Sequence, residues 1–176
     1  MKYKSFTKQQ VATITRLKPR QVQFYTEEGV VIPSVMEGKG RGKVRRYSEE
    51  NLLEFMIIGE CLGVGMTLSK LKWTMEIFRR DCEKTFSELA SLRINEMVGY
   101  YFIIAKDIED TSIAEWREIH PGGTMLTDHD LINLMNLFVI NVGVLIEIVA
   151  GGGIRRIGSN NKVISIISTI QDESGE

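Results

Sequence analysis

The chain has 176 residues, of which 43% are hydrophobic and 26% charged, as is ordinary for a soluble globular protein with a buried core. No positively charged segment leads into an apolar run, so a signal peptide is not expected, and the longest apolar run (residues 131–150) contains three Asn and one Glu, which argues against a membrane span. The net charge of −1 conceals an asymmetry, because residues 1–80 carry 15 Lys and Arg against 8 Asp and Glu, and residues 81–176 carry 7 against 15. A basic first half is typical of phosphate binding, with chance clustering as the alternative.

Two short helices are predicted near the start of the chain. Thr7 and Gln10 have the spacing of a capping box, which predicts the first helix. The apolar residues that follow at helical spacing are Val11, Ile14 and Leu17. Pro19 suits the first turn of a second helix, which runs to about Glu28 and ends at Gly29. Two helices joined by three or four residues form a helix-turn-helix pattern.

A glycine-rich basic segment follows at residues 37–47. Its alternating glycines favour a tight or mobile loop. Its cations are Lys39, Arg41, Lys43, Arg45 and Arg46. This composition suits a wing that contacts phosphates, and a solvated loop without a partner is the alternative.

Two further helices are predicted, capped by Ser48 and Thr67. From the second of them onward, apolar residues recur at spacings of three and four with one phase slip: Leu71, Met75, Phe78, Cys82, Phe86 and Leu89. The stripe is close to a coiled-coil seam. It predicts a helix that pairs two copies, and the core stripe of a single chain is the alternative.

The second half carries weaker signals. Residues 97–105 and 112–119 are predicted to be paired strands, and residues 127–130 to cap a helix. Residues 137–150 fit either one long helix or a strand, a break at Gly143 and a short helix. Residues 163–170 fit either a helix face or a strand.

Catalytic and metal-binding patterns find little support. A disulfide between Cys61 and Cys82 is improbable, which fits a reducing cytoplasm. A soft-metal site would have to recruit His120 or His129 beside Cys82, and we expect no metal and no cofactor. The sequence around His129 is better explained as a helix cap, and no catalytic triad or phosphate-binding glycine loop is found. An enzyme is therefore not expected.

The order of motifs in the first half is specific. It comprises the two-helix unit, the segment VQFYTEEGVVIP at residues 22–33, a wing that ends in Arg45, Tyr47 and Ser48, and the segment LGVGMTL at residues 62–68. Together they resemble the MerR family of bacterial transcription regulators over about residues 5–80.

Three positions depart from the family pattern. Arg16 stands where the family usually has a turn glycine, Lys18 where it has a Ser or Thr cap, and Gln23 where it has an arginine. The wing is also longer and more basic. These departures put the base preference in doubt, since Gln pairs with an adenine edge whereas Arg favours guanine.

The resemblance implies a homodimer on double-stranded promoter DNA, with the second helix of each protomer in the major groove and the wing on the backbone. Such regulators bend and undertwist a promoter so that RNA polymerase can use it. The DNA-binding candidates are Arg16, Lys18, Arg20, Gln21, Gln23, Tyr25, Lys39, Arg41, Lys43, Arg45, Arg46, Tyr47 and Thr67. For Tyr25, a place in the core is the alternative. Whether the regulator activates or represses is left open.

The expected fold class is mainly α: a MerR-type winged helix-turn-helix domain, a dimerisation helix, and a small α+β C-terminal domain. The expected boundaries are 1–78, 79–96 and 97–170, followed by a disordered tail at 171–176. Two other functions stay open: an architectural DNA-binding protein of the excisionase kind, and a small-molecule sensor with a pocket in residues 97–170. The aromatic residues considered for that pocket are Tyr100, Tyr101, Phe102 and Trp116. A compact dimerisation core is favoured over the pocket because no set of polar groups converges there.

Overall fold

A computed structural model describes residues 5–34, 45–96, 98–107, 112–123, 134–150 and 164–167. The elements of the N-terminal half are β1 (Phe6–Thr7), α1 (Lys8–Thr15), α2 (Pro19–Glu27), β2 (Arg46–Tyr47), α3 (Glu49–Gly63) and α4 (Leu68–Asp81). They are followed by α5 (Phe86–Asn95), β3 (Gly99–Asp107), β4 (Ser112–Ile119), β5 (Leu134–Asn141), α6 (Val142–Ala150) and β6 (Ile164–Ile167). Within these ranges, no helix combines the length and the apolar character needed to cross a membrane.

Local capping starts the first helices where the sequence predicts. At the start of α1, the Thr7 hydroxyl accepts from the Gln10 amide at 3.3 Å, and the Gln10 side chain accepts from the Thr7 amide at 2.8 Å. Pro19 begins α2, and Gly29 follows its end with φ +71°, a conformation that favours glycine. Both predicted helices of the helix-turn-helix are therefore confirmed, and they pack against each other.

The apolar stripe predicted to lie on one pairing helix is divided between two helices, and its role in pairing two copies stays a prediction. The helix α4 ends at Asp81, and a new capping box between Thr85 and Glu88 begins α5, with the Thr85 amide donating to the Glu88 carboxylate at 2.8 Å. The phase slip between Cys82 and Phe86 marks this break. The stripe residues buried in the chain's own core are Leu71, Met75, Phe78, Phe86 and Leu89. They do not form an exposed seam, which agrees with the alternative of a single-chain core.

The second half forms an antiparallel sheet in the order β4-β3-β5-β6. The two predicted strands are confirmed as β3 and β4, and residues 164–167 form a strand. Residues 137–150 divide into a strand and a helix at Asn141, whose side-chain oxygen accepts from the Val144 amide at 3.3 Å. The break therefore precedes Gly143. The cap at 127–130 and the tail at 171–176 lie outside the described residues.

One hydrophobic core joins the two halves. The Phe78 ring of α4 meets Phe102 of β3 and Trp116 of β4 edge-on, with ring centroids 5.6 and 5.5 Å apart. Tyr100 stacks on Trp116 at 5.5 Å, and α6 packs on α3 and α5. The fold is thus mainly α with a β-containing C-terminal part, as expected, and the domain boundaries stay predictions.

Candidate nucleic-acid interface

The turn between α1 and α2 contains a strained residue. Arg16 has φ 60° and ψ 15°, the left-handed region that costs an L-residue about 1 kcal/mol. It is the position at which the resemblance leads one to expect glycine. The side chain of Arg16 is exposed, as is that of Lys18 two residues later. The tight turn therefore presents two cations to solvent at the start of α2.

The two faces of α2 differ sharply. Val22 and Tyr25 are buried, whereas Arg20 and Gln23 are exposed. Gln21 is half-buried, and its side-chain oxygen accepts from the Lys18 amide at 2.9 Å. Since Gln21 caps its own helix, its oxygen is occupied, and Arg20 is the better candidate for contact with a base.

Gln23 lies in a chain of polar contacts that crosses three elements. Its side-chain oxygen accepts from Lys8 Nζ of α1 at 3.0 Å, and its Nε2 donates to Glu27 Oε1 at 2.9 Å. The same Glu27 oxygen lies 3.8 Å from the Arg45 guanidinium at the base of the wing. Sequence reasoning missed Lys8 and Glu27 as neighbours of Gln23. The spacing of four between Gln23 and Glu27 on a helix was the available signal.

Phe24 was also missed. It is 43% exposed on α2 and meets Tyr25 edge-on, with ring centroids 5.2 Å apart. The sequence could have placed Phe24 on the outer face of α2. Phe24 lies two positions after Val22, and residues two apart on a helix point to different faces, so an inward Val22 predicts an outward Phe24. An exposed aromatic ring beside Arg20 and Gln23 can make apolar contact with a thymine methyl group.

Tyr25 belongs to the core. Only 7% of it is exposed, and burial raises the pKa of its hydroxyl. The burial of Tyr25 agrees with the alternative that the sequence left open, namely that Tyr25 is a core aromatic residue. The ring stabilises the packing of α2 and leaves the outward face to its neighbours.

The base of the wing is tied to α1 by a short ribbon. In it, Phe6 pairs with Tyr47 and Thr7 with Arg46. Arg45 and Arg46 are half-exposed. The other wing cations predicted to contact DNA, Lys39, Arg41 and Lys43, lie outside the described residues.

Tyr47, predicted to contact DNA, is buried in the structure. It is 1% exposed, its ring meets Phe55 edge-on at 5.6 Å, and its hydroxyl lies 3.1 Å from Thr26 Oγ1. These contacts fix the base of the wing to α2 from inside the core. The phosphate contact of Tyr47 stays a prediction.

Replacing Tyr47 with Phe should lower the free energy of unfolding by about 1 kcal/mol, because one hydrogen bond is lost while Thr26 keeps its bond to the Val22 carbonyl. Urea denaturation measures the loss. The affinity for duplex DNA should match that of the wild type. An affinity lowered by about tenfold at an unchanged salt slope would instead assign the Tyr47 hydroxyl to a phosphate, because a neutral hydroxyl contributes a hydrogen bond and releases no counterion.

The start of α4 is exposed. Thr67 caps it, with its hydroxyl accepting from the Lys70 amide at 3.5 Å. Amide groups in the first turn of a helix favour a phosphate. Thr67 therefore keeps the exposure that its predicted role requires.

A buried polar bridge, formed by Asn51, Glu54 and Arg79, ties α2 to the helices that follow. Arg79 Nε donates to Glu54 Oε1 at 2.6 Å, and Arg79 Nη2 donates to the carbonyl of Val30. Asn51 Nδ2 donates to the Ile32 carbonyl at 2.9 Å and to Glu54 Oε2 at 3.0 Å. The chain leaving α2 is thus fixed to both α3 and α4. The acidic Glu54 within an apolar helix was the sequence signal.

Burial raises the pKa of the Cys61 thiol to about 12 and that of the Cys82 thiol to about 11. Among the described residues, no three His, Cys, Asp or Glu side chains are grouped so that they could hold a metal ion.

Alkylation of native Cys82 by iodoacetamide should accelerate with pH up to about 11, because the thiolate is the reactive form and burial favours the neutral thiol. The Cys82→Ser variant gives the background from Cys61. Mass spectrometry at pH 8 to 11 follows the reaction. A rate that levels off near pH 9 would contradict the raised pKa.

Comparison with known proteins agrees with this geometry. Residues 6–76 match the family model of MerR HTH family regulatory proteins. Two curated relatives, each described as the HTH-type transcriptional regulator CueR, come from Vibrio cholerae serotype O1, strains ATCC 39541 and ATCC 39315. Each is 29% identical over 63 residues, which cover 36% of this chain and 43% of the relative. The match thus spans less than half the length of these relatives, and the predicted resemblance is confirmed for residues 6–76.

Proposed function

Because residues 6–76 match the MerR HTH family, we propose that the protein is a sequence-specific transcription regulator that binds promoter DNA as a homodimer. The observation that carries the proposal is the outward face of α2. It presents Arg20, Gln23 and Phe24 on a helix whose opposite face is buried. A helix with this arrangement, second in a helix-turn-helix, fits the major groove.

The side chains divide into two roles. Arg20 and Gln23 read base edges, Arg20 favouring guanine and Gln23 adenine. To read a base, the Gln23 amide exchanges its hydrogen bonds with Lys8 and Glu27 for hydrogen bonds with the base. Phosphates are contacted by the cations that flank α2 and form the base of the wing: Arg16, Lys18, Arg45 and Arg46. The Arg45 guanidinium lies 3.8 Å from Glu27, so the base of the wing lies beside the recognition helix in the free protein.

The mechanism we propose is bending and undertwisting of the promoter, so that RNA polymerase engages a realigned site. Such deformation of the DNA costs several kcal/mol, so the protein elements that contact the DNA must stay rigid when the duplex is bent. The buried polar bridge supports this mechanism, since it fixes the chain leaving α2 to α3 and α4.

We propose that the two copies pair through a surface other than the apolar stripe, because the members of that stripe are mostly buried within one chain. Sedimentation velocity over a range of concentrations measures the association. A chain that remains monomeric both alone and on DNA would exclude the proposed homodimer.

Selection from a random duplex pool followed by footprinting tests the function. We expect symmetric protection of two half-sites across a spacer, together with altered gel mobility of circularly permuted fragments that reports a bend. An Arg20→Ala/Gln23→Ala variant should lose the sequence preference and keep the weak binding to any duplex. Protection without a preferred sequence would instead favour an architectural protein of the excisionase kind.

A further inference from the structure

A cavity of about 160 Å³, partly open to solvent, lies where α3, α4 and α5 meet. Its apolar wall is formed by Leu53, Phe78, Cys82, Phe86 and Leu89. This cavity is separate from the pocket that the sequence suggested in residues 97–170. Two of the aromatic residues considered for that pocket, Tyr100 and Phe102, are fully buried in the core. The break between α4 and α5 creates the space, since Cys82 lies in the break and Phe86 begins the next helix.

The charged side chains around the cavity already have partners. Arg79 pairs with Glu54 at 2.6 Å, and Lys84 Nζ donates to both oxygens of Glu118 at 2.7 and 2.9 Å. The carboxylate of Glu50 accepts from the Phe86 amide at 3.4 Å. An ionic ligand would have to displace one of these contacts and leave a partly buried charge unpaired, which is costly.

We propose that this cavity binds an uncharged molecule with a single aromatic ring. An engineered cavity of roughly 150 Å³ lined by Leu, Ile and Phe binds benzene, so the volume and lining here suit a ring of that size. Phe78 and Phe86 offer ring contacts, and the sulfur of Cys82 is polarisable and packs well against an aromatic edge. The site does not depend on the proposed DNA binding.

An occupant of this cavity touches the polar bridge. Glu54 and Arg79 line the cavity, and Arg79 also donates to the Val30 carbonyl just after α2. A ligand that binds the folded state opposes local opening of the groups around it. We therefore expect occupancy to slow amide hydrogen exchange at Val30, which donates to the Tyr25 carbonyl at 2.9 Å.

Fluorobenzene is the probe, with the full chain and ¹⁹F NMR as the readout. The wild type should show a saturable shift, and Cys82→Met should weaken binding at least tenfold because the longer side chain fills the cavity. Ser87→Met is the matched control: it adds the same side chain at an exposed position of α5 and should bind like the wild type. Benzoate, which carries a charge on the same ring, should not compete.

Two results would overturn the proposal: no saturation in the wild type up to the aqueous solubility of fluorobenzene, or equal binding by wild type and a folded Cys82→Met. Should Cys82→Met fail to fold, the wild type decides by itself. Nuclear Overhauser contacts between the probe and the ring protons of Phe78 and Phe86 are then expected, and their absence at saturation excludes this cavity.

Discussion

Replacing Arg45 and Arg46 with alanine should lower the affinity for duplex DNA by about 60-fold at 0.1 M salt. Each lost phosphate contact reduces the slope of log K against log salt concentration by about 0.9, so two lost contacts reduce it by about 1.8. If the electrostatic contribution vanishes at 1 M salt, the binding constant at 0.1 M salt falls by roughly 1.8 decades. The slope itself should fall by about 1.8. Fluorescence anisotropy with a labelled duplex between 0.05 and 0.3 M salt, concentrations of the order used for such slopes, measures both quantities.

The control is Arg80→Ala/Arg117→Ala, which removes the same two charges from the end of α4 and from β4. It should leave affinity and slope within about twofold of the wild type, because only charges near the duplex release counterions on binding. Should the wing variant behave like this control, the wing cations would have no place in the interface. Binding would then depend on α2 and its turn.

Arg79→Ala should destabilise the protein by about 3 kcal/mol. Removing Arg79 leaves Glu54 buried without a cation, a loss that typically costs about 3–5 kcal/mol. Glu54 keeps its hydrogen bond from Asn51 and Arg79 is itself 32% exposed, so the lower end applies. The Val30 carbonyl loses its donor as well. The melting temperature should fall by roughly 6–12 °C in a calorimetric scan, given the usual scaling for a chain of this size.

Arg80 provides the neighbouring control. Its side chain is 68% exposed and pairs with Asp81 on the surface, so Arg80→Ala should cost less than about 0.5 kcal/mol. The double variant Glu54→Leu/Arg79→Met removes both charges and should recover much of the loss, since apolar replacement of a buried pair is often neutral. Equal stability of Arg79→Ala and Arg80→Ala would show that the bridge contributes nothing.

Local chemistry in the sequence is enough to predict the start of most helices. Thr7, Ser48 and Thr67 each accept from an amide three residues further, as their residue types and spacing predict. Gly29 ends the second helix for the same local reason. The outward position of Arg20 and Gln23 follows from the burial of their helix's other face. Much of the interface is therefore readable from contacts within four residues.

Long-range packing explains what the sequence could not settle. Tyr47 fits a phosphate contact by its place after two arginines, but the partners that bury it, Thr26 and Phe55, come from other helices. The apolar stripe has the period of a seam, but Thr85 starts a new helix within it and redirects its second half. The spacing of apolar residues predicts that a helix face is buried, but it does not predict which part of the chain, or which second copy, packs on that face.

The shared core has a consequence for how the chain folds. Phe78 packs on Phe102 and Trp116, and α3 packs on α6, so part of the apolar surface of the helix-turn-helix half is covered by the second half of the chain. Heat or urea should therefore unfold both halves in one cooperative transition. A fragment ending near residue 80 would expose the apolar side of α3 and α4, and it should be unstable or aggregate as an isolated DNA-binding module.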